Sequence, residues 1–502
     1  MKTNRREFFQ SATVLGAAPI LGASVPAAEP SIWPRVLSVA DEHDRVVIET
    51  TGAIFSISRG DPAKIDVTQK INGPRRLYSM EVGASFADLT VDYHDAEQCV
   101  LCNPVGDFCF NLRVMADSLL VMRAGKAVRV ITRGEWLPEY SYAEAGNLLY
   151  LDRIGGFGQY LIPSAHPYGS AFEETKLGVS FSATGWETYA QIPPARRTLV
   201  CVAPPRPLDS RSAAADRIVH HFIADRRADQ TWNYYPSDSS IKTFARRGNI
   251  LTLHAWSRGA GPYRGKEVKN RTELYAKAAP WAAWRYEPVD AAELSRVVQT
   301  AHNAGMRVLP YMSPLFFPGN SQEFLAELQR VIETHGFDGV YYDGIADNIL
   351  DAYETMKGTR RIVGEKGLLY AHIPSPILGS SYRAGKYVYC PFIDTYANFI
   401  LRAEHIDTFD DKVLRYTISG HNISNAIGYA CNYDYNLDFN RELIRRVLDY
   451  DVRVPYWVGW DIYLKDRGKA VGKQYAAESA LQEVMEQVYF PALDRLKEKH
   501  AK

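Results

Sequence analysis

The sequence carries no net charge. Lysine plus arginine number 58 in a chain of 502 residues, and aspartate plus glutamate also number 58. A neutral chain sets up no overall field that would attract nucleic acid or an anionic lipid bilayer. We therefore expect a near-neutral partner, and neither a nucleic acid nor a membrane.

The sequence also lacks the short motifs of several enzyme classes. It contains no H-E-x-x-H, no G-x-S-x-G, no phosphate-binding P-loop and no cysteine and histidine spacing that specifies zinc. Its six cysteines include Cys99, Cys102 and Cys109, but a fourth ligand at metal spacing is missing. We expect buried thiols, with a Cys99–Cys102 or a Cys102–Cys109 disulfide as the alternative. The sequence therefore predicts no metal centre and no obligatory cofactor.

An apolar run near the N-terminus follows a pair of arginines. Arg5 and Arg6 precede residues 12–25, which are apolar, and small residues come next. The run is shorter than the about 20 residues that span a bilayer. This segment resembles a twin-arginine export signal, which implies that residues 1–28 are removed and that the protein is periplasmic or extracellular. A retained membrane anchor is the alternative.

The length of the chain predicts two domains, because a single hydrophobic core stops growing well below this size. Short β-type runs such as 46–57 and 198–203 predict an antiparallel β-sandwich over residues 29–240. Residues 123–126, between two such runs, are typical of a hairpin turn.

Residues 241–502 alternate apolar strands with amphipathic helices, and their number matches the about 250 residues of a (β/α)8 TIM barrel. Asp290 and Asn320 are expected to cap two of the helices, and Gly336 to end the second. A doubly wound open sheet is the alternative, but no glycine-rich loop follows an early strand. The predicted fold class is α/β, an all-β sandwich followed by a C-terminal barrel. The predicted barrel strands are 249–256, 306–312, 339–342, 368–372, 395–401, 414–419, 427–431 and 454–460.

The sharpest chemical signal is the segment F-D-G-V-Y-Y-D-G at residues 337–344. It places Asp343 at the last position of a strand, and strand ends converge at one mouth of a barrel. The segment resembles the D-G-x-W-x-D nucleophile strand of glycoside hydrolase family 31 and the related alpha-galactosidase clan, in which a β-sandwich also precedes a barrel. The resemblance implies a glycosidase with Asp343 as its catalytic carboxylate. Those families use the fourth strand, whereas our count makes Asp343 the end of the third, and an Asp-Gly turn is the plain structural alternative.

Glycoside hydrolysis needs a second carboxyl group, which protonates the leaving oxygen. Glu404 follows a predicted strand and is our candidate for this general acid. Asp347, Asp434 and Asp461 are alternatives, because each follows a candidate strand. Glu404 has its own structural alternative as a solvated partner of Arg402.

Other polar and aromatic residues at strand ends are assigned to substrate binding. Flat rings stack on the apolar faces of sugars, although core packing is the alternative for each ring, and the histidines are alternatively hydrogen-bonding wall residues. The sequence thus predicts an exported glycoside hydrolase that cleaves an oligo- or polysaccharide. The competing prediction is a non-catalytic glycan-binding protein on an enzyme-derived barrel. The predicted substrate-binding residues are His254, Trp256, Tyr311, His372, Trp460 and Asp461.

Overall fold

The structure is a computed structural model in which residues Ile32–Lys502 fall into one compact unit. The residues that it describes are 31–105, 108–144, 147–162, 177–194, 196–209, 212, 215–222, 234–257, 284–345, 349–372, 390–402, 410–418, 426–429, 437–450, 452–459 and 478–500.

The first part of the described chain forms two antiparallel sheets. One sheet has the strand order β1-β2-β3-β4-β5-β10-β15-β14, and the other has the order β11-β12-β13-β16-β9-β8-β7-β6, in the numbering that follows. The strands are β1 (Val36–Asp41), β2 (Arg45–Thr50), β3 (Ala53–Ser58), β4 (Ala63–Gln69), β5 (Arg75–Val82), β6 (Thr90–His94), β7 (Gln98–Val105), β8 (Phe108–Met115), β9 (Leu119–Arg123), β10 (Val128–Gly134), β11 (Tyr140–Glu144), β12 (Asn147–Leu151), β13 (Gly156–Ile162), β14 (Leu177–Phe181), β15 (Trp186–Ile192) and β16 (Arg197–Ala203).

Alternation of apolar and polar residues builds these strands. In β3 the side chains of Ala53, Phe55 and Ile57 are buried, and the residues between them are only partly so. This follows because successive side chains of a strand point to opposite faces of the sheet. Phe55 of the first sheet and Phe157 of the second belong to one apolar cluster between the sheets. The predicted β-sandwich is confirmed.

Residues 123–126 do not form the predicted hairpin turn. Strand β9 lies in the second sheet and β10 in the first, so the chain crosses from one sheet to the other between them. The runs on either side of residues 123–126 alternate apolar and polar residues as hairpin strands do. Only the sheet order shows that they pair with other strands and not with each other.

Cys102 and Cys109 form a disulfide across the paired strands β7 and β8. This is one of the two pairings that the sequence left open. Cys99 and Cys201 are buried thiols, and burial raises the pKa of Cys99 to about 12. Both therefore stay protonated and pack as small apolar groups.

A third sheet follows, in which all the described pairs are parallel. Its order in the described residues is β23-β22-β21-β20-β19-β18-β17-β24. The strands are β17 (Ile218–His221), β18 (Ile250–Leu253), β19 (Arg307–Met312), β20 (Gly339–Asp343), β21 (Leu368–His372), β22 (Phe399–Arg402), β23 (Ala426–Tyr429) and β24 (Tyr456–Val458).

Helices lie between and after these strands, and two of them begin as predicted. The Asp290 side chain caps α2, Asn320 and Glu323 form a capping box at the start of α3, and Gly336 ends α3 with a φ of 68°. None of the described helices has both the length and the apolar composition needed to cross a bilayer. The helices are α1 (Asp238–Phe244), α2 (Ala291–Asn303), α3 (Ser321–His335), α4 (Ile349–Val363), α5 (Pro391–Asp394), α6 (Asp411–Val413), α7 (Leu437–Leu448), α8 (Glu478–Val484) and α9 (Phe490–His500), with π-helical turns at Leu414–Ile418 and Met485–Tyr489.

The described residues contain eight parallel strands, the number predicted, but one of these strands was missed and one predicted strand was wrong. Strand β17 was missed, and it lies before residue 241, where the barrel was predicted to begin. The predicted strand 414–419 was wrong, because Leu414–Ile418 is a π-helical turn. Asp343 therefore ends the fourth parallel strand, not the third. Two histidines make β17 look polar in sequence, yet all four of its residues are buried.

Strand β24, the last in the chain, pairs with β17, the first of this sheet. In a (β/α)8 barrel the last strand lies beside the first, so this pairing is one that a barrel requires. Among the described residues no pair joins β23 to β24. Closure of the ring therefore stays a prediction.

Candidate active site

Polar side chains gather at the carboxyl ends of the first five parallel strands. His220 lies in β17, His254 directly follows β18, Tyr311 lies near the end of β19, Asp343 ends β20 and His372 ends β21. Asp343 and His372 are aligned partners in the register of β20 and β21. Because parallel strands end at the same edge of a sheet, these residues of five separate segments meet there.

The Asp343 carboxylate is held by two neighbours. The Tyr311 hydroxyl donates a hydrogen bond to Oδ2 at 2.9 Å, and Nδ1 of His372 lies 3.1 Å from Oδ1. An ionised carboxylate can only accept, so Nδ1 of His372 carries the proton of this hydrogen bond. The Asp343 side chain is 21% exposed. It is therefore oriented from two sides and still open to solvent.

Tyr311 is suited to remain a donor. Burial and the adjacent Asp343 charge raise the pKa of Tyr311 well above its usual value. Its hydroxyl therefore keeps its proton across the physiological range and bonds to the carboxylate without adding charge.

The main chain fixes the position of Asp343 as well. The Ser313 hydroxyl donates to the Asp343 carbonyl oxygen, and the Gly344 amide donates to the carbonyl oxygen of His372 at 2.9 Å. Gly344 has a φ of 76°, a left-handed conformation that favours glycine. The chain thus turns sharply after the carboxylate, which is the Asp-Gly turn that the sequence analysis gave as the structural alternative to a catalytic role.

A pair of histidines, His220 and His254, lies next to Tyr311. Nε2 of His220 lies 3.1 Å from Nδ1 of His254, and the His254 ring centroid is 4.3 Å from that of Tyr311. Burial, followed by the neighbouring histidines, lowers the pKa of His220 well below its usual value. His220 is therefore neutral, and the two buried histidines form a wall beside Tyr311. His254 and His372 are themselves buried, which is the environment of the wall residues given as their alternative role.

Trp256 does not have the surroundings of a sugar-stacking residue. Its side chain is 1% exposed, its ring lies 5.3 Å from that of Phe337, and its Nε1 donates to the Tyr311 carbonyl oxygen at 2.9 Å. A ring enclosed in this way offers no face to a sugar, so the substrate-binding prediction for Trp256 is corrected. Trp256 instead supports the strand that carries Tyr311.

Several predicted residues lie outside the described residues. They are Glu404, Trp460 and Asp461, together with the alternative acids Asp347 and Asp434. Their roles stay predictions.

Sequence reasoning missed His220. The available signal was the segment I-V-H-H at Ile218–His221, two β-branched residues and two histidines that precede the predicted start of the barrel. A strand of four residues with two polar side chains does not show the apolar run that identifies a buried strand. Only its pairing with β18 and β24 identifies it.

No family model and no curated protein matches the chain. Similar solved structures include a chitinase from Rhizomucor miehei, 12% identical over 37% of this chain and 56% of that chain, with a TM-score of 0.23. The chain thus spans a little over half the length of that chitinase. The galactosidase domain of an alpha-galactosidase-sucrose kinase is 8% identical over 92% of this chain and 87% of that chain, with a TM-score of 0.41. A family 31 alpha-xylosidase from a soil metagenome, complexed with xylose, is 9% identical over 93% and 86%, with a TM-score of 0.33. Likenesses at these scores support no inference about the chemistry of this chain.

Proposed function

We propose that the protein is a glycoside hydrolase in which Asp343 is the nucleophile or base. The observation that carries the proposal is the Asp343 carboxylate at the end of the fourth parallel strand, partly exposed and held by Tyr311 and His372. An oriented carboxylate at the strand-end edge of such a sheet is the group that glycosidic cleavage requires. The proposed fold is a β-sandwich followed by a closed (β/α)8 barrel.

In the proposed reaction the bond between the anomeric carbon and the glycosidic oxygen breaks. The Asp343 carboxylate either attacks that carbon or removes a proton from the water that attacks it. Glu404, our candidate general acid, gives its proton to the leaving oxygen. The hydrogen bond from Tyr311 keeps the Asp343 carboxylate oriented toward the anomeric carbon or the attacking water while the negative charge of the carboxylate changes. This donor is already in place before the reaction.

The substrate of the proposal is an oligo- or polysaccharide. His372 and Tyr311 contact the proposed catalytic carboxylate, and both are proposed as substrate-binding residues. Trp460 and Asp461 are proposed to complete the binding surface, with no obligatory cofactor. The proposal includes export by the twin-arginine route to the periplasm or beyond, on the strength of residues 1–28.

The test compares Asp343→Asn with the unchanged protein. Turnover is measured on a panel of 4-nitrophenyl α- and β-glycosides and, by released reducing ends, on polysaccharides. Asp343→Asn keeps the shape of the side chain and removes its charge, so turnover should fall by at least about a thousandfold, with glycan binding retained. Asp88→Asn is the matched control, because Asp88 is an exposed aspartate of the sandwich.

Turnover that survives in Asp343→Asn would refute the assignment of this residue. Glycan binding by the unchanged protein, without turnover on any substrate, would instead support the non-catalytic glycan-binding alternative.

A further inference from the structure

A cavity of about 320 Å³ lies between the second sheet of the sandwich and the beginning of α4. Arg113, Arg123 and Arg197 line it from the sheet, and Leu350 and Glu354 line it from the helix. None of these residues belongs to the group around Asp343. Helix α4, which lines the cavity, is the next helix in the chain after β20, the strand that ends with Asp343.

Strand register brings the three arginines to one face of the sheet. Arg123 of β9 lies directly opposite Arg197 of β16. Arg113 of β8 lies opposite Val121, which is two residues from Arg123 and therefore on the same face. Like charges directly opposite each other on paired strands repel and destabilise a sheet. All three side chains are exposed, so solvent screens part of this repulsion, and a bound anion between the guanidinium groups would offset the rest.

Within the described residues, the surrounding protein does not supply that negative charge through an ion pair. In the described part of the chain, the salt bridges of the sandwich join other arginines, such as Arg75 to Asp152 and Arg133 to Glu187. Arg113, Arg123 and Arg197 take part in no described ion pair or side-chain hydrogen bond. Glu354 is the acidic member of the lining, so three positive groups face one negative group. Since the chain as a whole is neutral, this positive charge is a local feature of the cavity.

We propose that this cavity binds an acidic unit of a saccharide, through a carboxylate or a sulfate ester. Guanidinium groups present paired donors that match the two oxygens of such an anion. The volume is at the lower end of the about 300–1,000 Å³ of small-molecule sites and suits a single sugar unit. Asn111, opposite Arg123 on the same wall, offers an amide to sugar hydroxyls. The inference rests on the proposed function in one respect, namely that the ligand is a saccharide.

The experiment measures binding by isothermal titration calorimetry with four probes. They are trigalacturonate, a sulfated galactan trisaccharide, neutral galactotriose and inorganic sulfate. The proteins are the unchanged chain, Arg123→Gln and Arg197→Gln, each of which removes one charge from the cavity. Arg129→Gln is the matched control, because Arg129 is an exposed arginine of the first sheet that lies opposite Gln191.

At least one acidic trisaccharide should bind the unchanged protein, and galactotriose should bind more weakly. Arg123→Gln and Arg197→Gln should each weaken that binding by at least about tenfold, equivalent to about 1.4 kcal/mol. Arg129→Gln should leave it unchanged. Raising the salt concentration should weaken binding, because the contacts are charged.

Two results would overturn the inference. One is acidic-saccharide binding that is absent, or that is the same in all the arginine variants. The other is binding of inorganic sulfate without binding of either acidic saccharide. The assay needs no turnover, so its failure is separate from that of the proposed hydrolase: turnover that survives in Asp343→Asn would refute the role of Asp343 alone, and arginine-dependent binding would support the cavity even without activity.

Discussion

Asp117 is a buried carboxyl group whose ionisation should make the folded protein less stable as the pH rises. It lies in the turn between β8 and β9 and is 0% exposed. Burial raises the pKa of Asp117 to about 6, although Tyr353 and Lys357 of α4 act in the opposite direction. Neither carboxyl oxygen has a hydrogen bond of ordinary geometry within the described residues. Desolvation therefore outweighs the neighbouring groups that favour the charge.

The direction of this pH dependence follows from the number of protons that the folded and the unfolded states bind. The unfolded chain releases the Asp117 proton near pH 3.8, and the folded chain releases it near pH 6. Between these values the folded state holds more protons, so the free energy of unfolding decreases with rising pH. Each pKa unit corresponds to about 1.4 kcal/mol, so the full loss is about 3 kcal/mol once the pH exceeds 7.

Asp117→Asn replaces the carboxyl by an amide of the same shape that cannot ionise. We predict that the free energy of unfolding of the variant, minus that of the unchanged protein, rises by about 2 kcal/mol between pH 4 and pH 8, since part of the loss has already occurred at pH 4. The measurement is urea denaturation followed by fluorescence at several pH values. Altered packing of the amide would change the free energy of unfolding by the same amount at every pH, so it does not affect this pH dependence.

Asp88→Asn is the control, because Asp88 is an exposed aspartate of the sandwich. A flat difference for Asp117→Asn would refute the reasoning, since it would show that Asp117 titrates alike in both states. A difference that falls with rising pH would refute it more strongly, because it would mean that the folded protein stabilises the charged form.

Two further substitutions test the site and the packing. Tyr311→Phe removes the hydroxyl that donates to Oδ2 of Asp343. Hydrogen bonds to charged groups contribute about 1.5–3 kcal/mol, so kcat/KM should fall by roughly tenfold to a hundredfold. The melting temperature Tm should change little. Unchanged steady-state kinetics would show that this hydrogen bond does not serve catalysis. Trp33→Ala removes a buried ring that lies 3.8 Å from the Arg360 guanidinium carbon and 4.8 Å from that of Arg206, and it should lower the free energy of unfolding by about 3–5 kcal/mol in urea titrations. A loss below about 1 kcal/mol would show that the two arginines do not depend on the ring.

Much of the second half was predictable because its signals are local. The capping residue Asn320 and the left-handed Gly336 act within one helical turn, so the bounds of α3 follow from the sequence. The position of Asp343 at a strand end was predicted for a similar reason, since a carboxylate followed by glycine at the end of an apolar run is a short pattern.

The errors arose where pairing decides the structure. The residues of β17 form a strand because β18 and β24 lie on either side of them, not because their own pattern is apolar. Segment 123–126 has the composition of a hairpin turn, but the strands that flank it pair with other partners. Trp256 is at a strand end in sequence, and only the surrounding rings show that it is enclosed.

The sequence by itself determined the β-rich first half, the alternating second half and the choice of Asp343. Each of these depends on residue patterns a few positions long, which elementary steric and hydrophobic preferences translate directly into structure. The tertiary structure alone decided that Tyr311 and His372 hold Asp343, that Arg123 faces Arg197, and that Asp117 is removed from water. These contacts join residues that are far apart in the chain, and their energies depend on distance and burial, which no local pattern specifies.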